Sequence, residues 1–252
     1  MISPWEVTGE IDYGRLIQEF GMEPFSSLLP EIEDPMHLMK RGVIFGHRDY
    51  WRIVEAMKKG NRFAVMSGFM PSGLPHFGHK MTMDEIVWHN RKGGIAFVGI
   101  ADMEAHAVRG LSWEETHRIG IEYVKAIIAL GLDENSVIYF QSANHSVRDL
   151  AFELGEEVNW SELKAIYGFD GETTLAKMFV TAIQAGDILL PQLPFYGGPK
   201  PTVVPVGADQ DPHLRLTRDL SSRVSIFAFE RIENGVRVRS RKGKKYLNEL
   251  EN

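Results

Sequence analysis

The chain has 252 residues, a formal net charge of −6 and ordinary hydrophobic (44%) and charged (25%) fractions, so it can bury a large core and is neither a minimal module nor a disordered tail. Zero cysteines exclude disulfides and thiolate chemistry, and the acidic balance argues against a chain-wide nucleic-acid footprint, so any RNA contact must be local or lie outside these residues. Met1-Ile2-Ser3-Pro4-Trp5-Glu6 has neither a basic flank nor an apolar signal core, and no apolar run reaches membrane length, so a cytoplasmic location without membrane association is expected.

Taken in order, Ile11 to Phe20 and Pro30 to Lys40 carry scattered apolar positions consistent with short helices, separated by Met22-Glu23-Pro24. Gly46-His47-Arg48-Asp49-Tyr50-Trp51 opens a helix predicted over Asp49 to Lys58, whose Ile53, Val54 and Met57 share one face. His47, Arg48 and Asp49 read as an N-cap with solvated neighbours. Residues 1–60 are expected to form a helical N-terminal extension packed on the main fold.

From Asn61 strand and helix patterns alternate, which predicts an α/β fold, a Rossmann-like doubly wound parallel sheet, over residues 61–222. Phe63 to Ser67 is an apolar strand that breaks in a Gly/Pro loop and resumes as a helix from about Gly78 to Asn90. In α/β sheets this layout presents a nucleotide phosphate to a helix N-terminus. Gly68 and Gly73 permit backbone conformations closed to other residues, and Pro71 fixes one turn. Gly78 lets a flat base lie against the first helical turn. His76 and His79, three apart, share nearly one helical face and suit donation to phosphate oxygens and stabilisation of charge at phosphorus. A His-x-x-His pair is also a metal half-site or two surface residues. With no cysteine and no third ligand at a fitting spacing, no metal site is expected.

Ile95 to Asp102 reads as a buried strand closed by a carboxylate. Asp102, Glu104 and His106 fall at its carboxyl end, where they bind a ligand or cap the next helix. Ser112-Trp113-Glu114-Glu115 is a capping-box pattern for a helix to Leu130, and Ser136 to Gln141 is the next strand. Leu150 to Ile188 reads as helices broken at Gly155, around Tyr167 to Gly171, and after Gly186-Asp187. Gln184 lies in a mostly apolar piece and needs a backbone carbonyl or a ligand as partner. After a strand over Thr202 to Val206, Gly207 to Asp219 forms a second polar strand-to-helix junction. It is a helix cap with Pro in the first turn or, because it opens on the same sheet edge as the His76 loop, the other bank of a substrate crevice. Runs on either side of Asn234-Gly235 predict a hairpin. The basic residues from Arg237 to Lys245 form an exposed hairpin face or touch phosphates. Residues 223–252 are thus expected to be a hairpin and the start of a helix.

The string Pro71-Ser72-Gly73-Leu74-Pro75-His76-Phe77-Gly78-His79 resembles the ATP-binding HIGH motif of class I aminoacyl-tRNA synthetases, in the Pro-Ser-Gly form of the tyrosine and tryptophan enzymes. Gly207-Ala208-Asp209-Gln210-Asp211-Pro212-His213, with Arg215, Arg218 and Asp219, is similar to the Asp-Gln-Asp-Pro segment of the tryptophanyl-tRNA synthetases; the tyrosine enzymes share only Asp-Gln. Thr8 to Tyr13, Gly46 to Tyr50, Leu163 to Phe169 and Ala182 to Ala185 resemble archaeal and eukaryotic tryptophan enzymes, so the likeness runs from near residue 5 to about residue 222.

This resemblance implies ATP-dependent activation of tryptophan to tryptophanyl-adenylate, transfer to tRNA(Trp), Mg2+ carried on the ATP phosphates, and a homodimer. It implies that Pro71, Gly73, His76, Gly78 and His79 bind ATP, with His76 and His79 catalytic. Ser67, Glu104, Gln184, Gln210 and Asp211 would bind tryptophan, Glu104 accepting a hydrogen bond from the indole N–H. Two pocket positions depart from the eukaryotic pattern: Met66 and Gly99 stand where a Tyr and a Gln are found. No Lys-Met-Ser-Lys-Ser loop follows the Asp-Gln-Asp-Pro helix. The chain is therefore expected to stop before that loop and the anticodon-binding domain, and to form adenylate weakly or not at all on its own. The alternatives are a tyrosine-specific relative, disfavoured by Asp211-Pro212, and a non-catalytic nucleotide- or amino-acid-binding paralogue.

Overall fold

Four parallel strands carry the fold in the computed structural model, which describes residues 2–3, 6–7, 17, 21–224, 227–232 and 235–240. Helix α1 (Trp51–Lys59) precedes strand β1 (Ala64–Phe69), helix α2 (Phe77–Arg91) and strand β2 (Ile95–Ile100). Helices α3 (Asp102–Arg109) and α4 (Trp113–Ala129) lead to β3 (Val137–Phe140). Helices α5 (His145–Gly155), α6 (Trp160–Tyr167) and α7 (Leu175–Leu189) lead to β4 (Thr202–Val203), and α8 (Asp211–Arg223) follows. The sheet order is β3-β2-β1-β4, every pairing parallel. The order reverses between β1 and β4, and ligands bind at such a reversal, outside the strands' carboxyl ends.

Alternation along the strands distributes two cores. Val65, Val98 and Ile100 pack with Met83, Ile86, Ile119, Tyr123 and Ile127 of α2 and α4 on one face. Ala64, Met66 and Phe97 pack with Tyr139, Val147, Ala151 and Ile183 on the other, under α5 and α7. Each large apolar side chain so buried contributes roughly 1.5–3 kcal/mol. Helices therefore cover both faces, as the apolar strands of a doubly wound sheet require. A third cluster joins α5, α6, α7 and α8 through Leu154, Leu163, Tyr167, Leu216 and Leu220.

Three boundaries differ from the sequence reading. Helix α7 ends at Leu189, two residues past the break expected after Gly186-Asp187, and Gly186 inside it serves packing: a Cβ there would lie 2.7 Å from the carbonyl oxygen of Val147 on α5. Strand β4 stops at Val203, two residues before Pro205, which has no N–H for a ladder. The cluster His47-Arg48-Asp49 is no solvated cap. Arg48 Nη2 lies 2.9 Å from Asp211 Oδ1, Arg218 Nη2 lies 2.6 Å from Asp49 Oδ2, and His47 is buried.

The residues before β1 pack Phe25, Ile32, Met39, Tyr50, Ile53 and Val54 together with Phe63, and the Tyr50 hydroxyl meets Nε2 of the buried His89 of α2 at 2.8 Å. At the start of the chain Ile2–Ser3 and Glu6–Val7 pair antiparallel. The helix expected over Ile11 to Phe20 and the basic segment from Arg241 onward lie almost wholly outside the described residues. The hairpin forms from β5 (Phe227–Ile232) and β6 (Gly235–Ser240), antiparallel as the runs around Asn234-Gly235 predict, with Gly235 paired to Ile232.

Gly120, inside α4, gives a packing test. A Cβ there would fall 2.5 Å from Phe140 Cε1 and 2.8 Å from Ile100 Cγ2, so Gly120→Ala should destabilise by about 1–3 kcal/mol despite alanine's better helix propensity. Gly155→Ala, with nothing within 4 Å, should be neutral or stabilise by up to about 1 kcal/mol. Urea unfolding midpoints of the two variants check the difference in sign.

Candidate active site

The first turn of α2 fixes two imidazoles by hydrogen bonds to backbone. His76 is the N-cap, in extended conformation, and its Nδ1 accepts from the N–H of Gly78 at 3.1 Å. The N–H of His76 in turn donates to Nδ1 of His79 at 3.2 Å. An Nδ1 that accepts carries no proton, so each neutral ring holds its proton on Nε2. The rings lie 3.9 Å apart, tilted by 33°. Phe69 and Tyr123 brace His79 from behind, and the Tyr123 hydroxyl lies 3.4 Å from its Nε2. Burial, and next the neighbouring His76, hold His79 below the ordinary imidazole range. Gly78 has a local purpose: a Cβ would sit 3.0 Å from Cε1 of the His76 ring.

A crevice of about 330 Å3 opens between the β1 loop and the segment after β4, lined by Ser67, Gly78, His79, Glu104, Gln184 and Gln210 among others. Its floor is tied by the Ser67 hydroxyl, which donates to the carbonyl of Pro205 at 2.8 Å. Two carboxamide–carboxylate pairs form its inner wall. Gln184 Nε2 donates to Glu104 Oε2 at 3.0 Å, and Gln141 Nε2 donates to Asp187 Oδ2 at 2.6 Å, while the Tyr139 hydroxyl donates to Asp187 Oδ1 at 2.8 Å. The amide oxygens of both Gln141 and Gln184 are buried without a hydrogen-bond partner. Burial raises the Glu104 carboxyl and pushes Asp187 up to about 7. Such a wall is rich in acceptors and short of donors, so it suits a ligand that brings N–H groups.

The structure thus brings Ser67, Gly78, His79, Glu104, Gln184 and Gln210 to one crevice. His76 adjoins it through its stack on His79. Pro71 and Gly73 lie in the loop and are not part of the lining. Asp211 does not face the crevice either: Oδ1 is held by Arg48 and Oδ2 by Arg215 Nε at 3.1 Å. Gln141, Asp187 and Tyr139 were not singled out from sequence. A signal existed for Asp187, a carboxylate three residues after Gln184 and hence on the same face of an apolar helix. Gly99 is explained by Tyr139, whose hydroxyl lies 3.1 Å from where a Cβ at 99 would be.

Comparison with known proteins gives the family. The profile of the family described as tRNA synthetases class I (W and Y) matches residues 58–233, well over half of the chain. The chain belongs to this family. It is 72% identical over 249 residues to the tryptophan–tRNA ligase of Archaeoglobus fulgidus, a match covering 99% of the chain and 59% of the relative. It is 56% identical to that of Methanosarcina acetivorans, covering 98% and 55%. The crystal structure of tryptophanyl-tRNA synthetase from Aeropyrum pernix superposes with a TM-score of 0.79 at 48% identity, covering 89% of this chain and 62% of that one. The chain therefore spans little more than half the length of the first two relatives. No helix among the described residues is long and apolar enough to cross a membrane.

Nitrogen-15 spectra of the histidines test the ring states. Both His76 and His79 should show the Nε2–H tautomer, and His79 should titrate below the ordinary value of about 6.5. A depressed imidazole binds its proton more weakly folded than unfolded. The stability it contributes is therefore full above the unfolded value and is lost as pH falls through it toward the folded one. Gly78→Ala should shift the His76 resonances while the fold persists.

Proposed function

We propose that the crevice binds ATP and tryptophan and joins them as tryptophanyl-adenylate, the first step of charging tRNA(Trp). A carboxylate oxygen of the amino acid attacks the α-phosphorus, the bond from that phosphorus to the bridging oxygen breaks, and pyrophosphate leaves with the electron pair. In the second step a terminal ribose hydroxyl of the RNA attacks the acyl carbon, loses its proton, and releases AMP. The observation that carries this reading is the shared crevice: His79 on one bank and Gln210 on the other, with the unpartnered acceptors of Gln141 and Gln184 between them.

The Nε2–H groups of His76 and His79 donate to phosphate oxygens and disperse charge as pyrophosphate departs. They do so as neutral donors beside the positive end of the α2 dipole. Pro71, Gly73 and Gly78 shape the ATP loop. Ser67 shapes the floor for tryptophan, Glu104 accepts from the indole N–H, and Gln184 and Gln210 address its α-amino and carboxylate groups. Asp211 supports Gln210 from behind. Magnesium arrives on the ATP phosphates; among the described residues no group of three or more His, Asp or Glu is placed to hold a metal ion. Residues 61–222 do the catalytic work, in the cytoplasm, and in a homodimer as the motif resemblance implies.

Calorimetric titration with tryptophan and with tyrosine tests the assignment. Tryptophan should bind more tightly, and Glu104→Gln should weaken it by about 1–3 kcal/mol, the cost of a buried donor left without its acceptor. Tighter tyrosine binding, or an unchanged affinity in the variant, overturns the reading. Sedimentation should show a species of twice the chain mass.

A further inference from the structure

Gly68 of β1, Gly99 of β2 and Tyr139 of β3 are register partners in one row across the parallel sheet. Alternation turns positions 68 and 99 toward the face that carries Met66 and Phe97, the one covered by α5 and α7. With no side chain at 99, the Tyr139 ring reaches over β2. Its hydroxyl oxygen lies 3.1 Å, and its Cζ 3.3 Å, from where a Cβ at 99 would be, and Met66 Cε lies 3.5 Å from the same point. From there the hydroxyl donates to Asp187 Oδ1 at 2.8 Å, while Gln141 Nε2 donates to Oδ2 at 2.6 Å. Asp187 and Gln141 line the crevice; Gly99 and Tyr139 stand behind it.

A tyrosine that only fills a core needs some partner for its hydroxyl, and phenylalanine would fill the same apolar cluster without that need. Here the partner is a carboxylate of the crevice wall. Burial holds the Tyr139 phenol well above its ordinary value, so the hydroxyl keeps its proton and serves as a donor. Burial pushes Asp187 up to about 7, Glu104 and Asp102 of α3 push the same way, and the bonds from Gln141 and Tyr139 oppose them. Tyr196, in the turn before β4, faces Tyr139. Met66 of β1 and Val147 and Ala151 of α5 pack on this face and bring no charge. The Tyr139 hydroxyl is thus one of two side-chain donors that favour an ionised Asp187 against its surroundings.

Resting on the adenylate reading, we infer that Tyr139 is a positioning residue for the tryptophan crevice: its ring takes the space left at Gly99, and its hydroxyl sets the orientation and charge of Asp187 on the wall. It acts through Asp187 and contributes no atom to the lining. Gly99 and Tyr139 then form one exchange, because a side chain at 99 and the tyrosine hydroxyl compete for the same space. The departure from the eukaryotic pattern at position 99 is the condition for a hydrogen bond that a ring on β3 could not otherwise reach.

Tyr139→Phe keeps the ring and removes the hydroxyl. Carbon-13 spectra of the ligand-free chain, labelled at the aspartate carboxyls and assigned with Asp187→Asn, should show Asp187 titrating about one pH unit higher in Tyr139→Phe, since a bond to a charged acceptor is lost. Calorimetry with tryptophan should follow the same shift. From a midpoint near 7, a carboxyl half ionised at pH 7 becomes about one-tenth ionised, so the variant should bind about five-fold more weakly at pH 7 and within two-fold of the unaltered chain at pH 9. Gly99→Ala, which crowds the hydroxyl, should raise the Asp187 midpoint in the unaltered chain and change it little in Tyr139→Phe. An unmoved Asp187 midpoint, an affinity equal to that of the unaltered chain at pH 7, or a loss of affinity equal at pH 7 and pH 9 overturns the inference and leaves the adenylate reading to the unaltered chain's tryptophan binding. Failure of the unaltered chain to bind tryptophan overturns both.

Discussion

Two backbone N–H groups at the start of α2 determine how the rest of the site works. Helices begin with amides that no carbonyl within the helix can satisfy, and here two of them, those of His76 and Gly78, are spent on imidazole nitrogens. Because each Nδ1 is an acceptor, each ring is a neutral donor through Nε2. Neutrality also permits the 3.9 Å stack: two unit charges that close would repel by about 4 kcal/mol even at an effective dielectric of 20. The pair therefore presents N–H donors without first bringing charge into the loop, and it is stiff because the same bonds that set the protons also cap the helix.

The opposite wall has the complementary bias. Each buried carboxylate already receives a carboxamide N–H, and Asp187 receives a tyrosine hydroxyl as well. What remains are acceptors, since both carboxamide oxygens lack partners. With Asp187 pushed up to about 7 by burial, protonation competes there with whatever donor a ligand brings. A cationic ammonium and an aromatic N–H answer that shortage, while an acceptor-rich ligand would leave it unmet. The donor-bearing bank at α2 and the acceptor-bearing wall thus give the two sides of one opening opposite hydrogen-bonding character.

The strand-loop-helix order around Phe63 to Asn90 was legible because glycine, proline and histidine each constrain the backbone locally, and the apolar runs at 95–100 and 137–140 mark buried parallel strands by composition alone. Contacts between distant segments were not legible in the same way. Gly186 reads as part of a helix end until α5 is laid across it, and only the packed structure shows that a side chain there would strike the Val147 carbonyl. Tyr139 reads as one more apolar strand residue until the missing side chain at Gly99 makes space for its ring. Gln141 and Asp187 are polar residues in apolar surroundings, a pattern that flagged Gln184 but also fits ordinary caps and turns. Their pairing across 46 positions has no local signature.

Asp211 shows how a residue can shape a crevice without lining it. The sequence places it beside Gln210 in a segment dense with polar groups, and adjacency suggests that both reach the substrate. In the fold its side chain is only 5% exposed, accepts from Arg48, which comes from the extension, and is ion-paired with Arg215, one turn along α8. A carboxylate so enclosed is tolerable only while its cations stay in place; removing a partner from a buried pair costs about 3–5 kcal/mol. The second bridge, Arg218 to Asp49, holds the same two segments a turn farther along. The position of Gln210 on the crevice bank is therefore set through Asp211 by Arg48 and Asp49, and the extension belongs to the architecture of the site although none of its described residues lines the crevice.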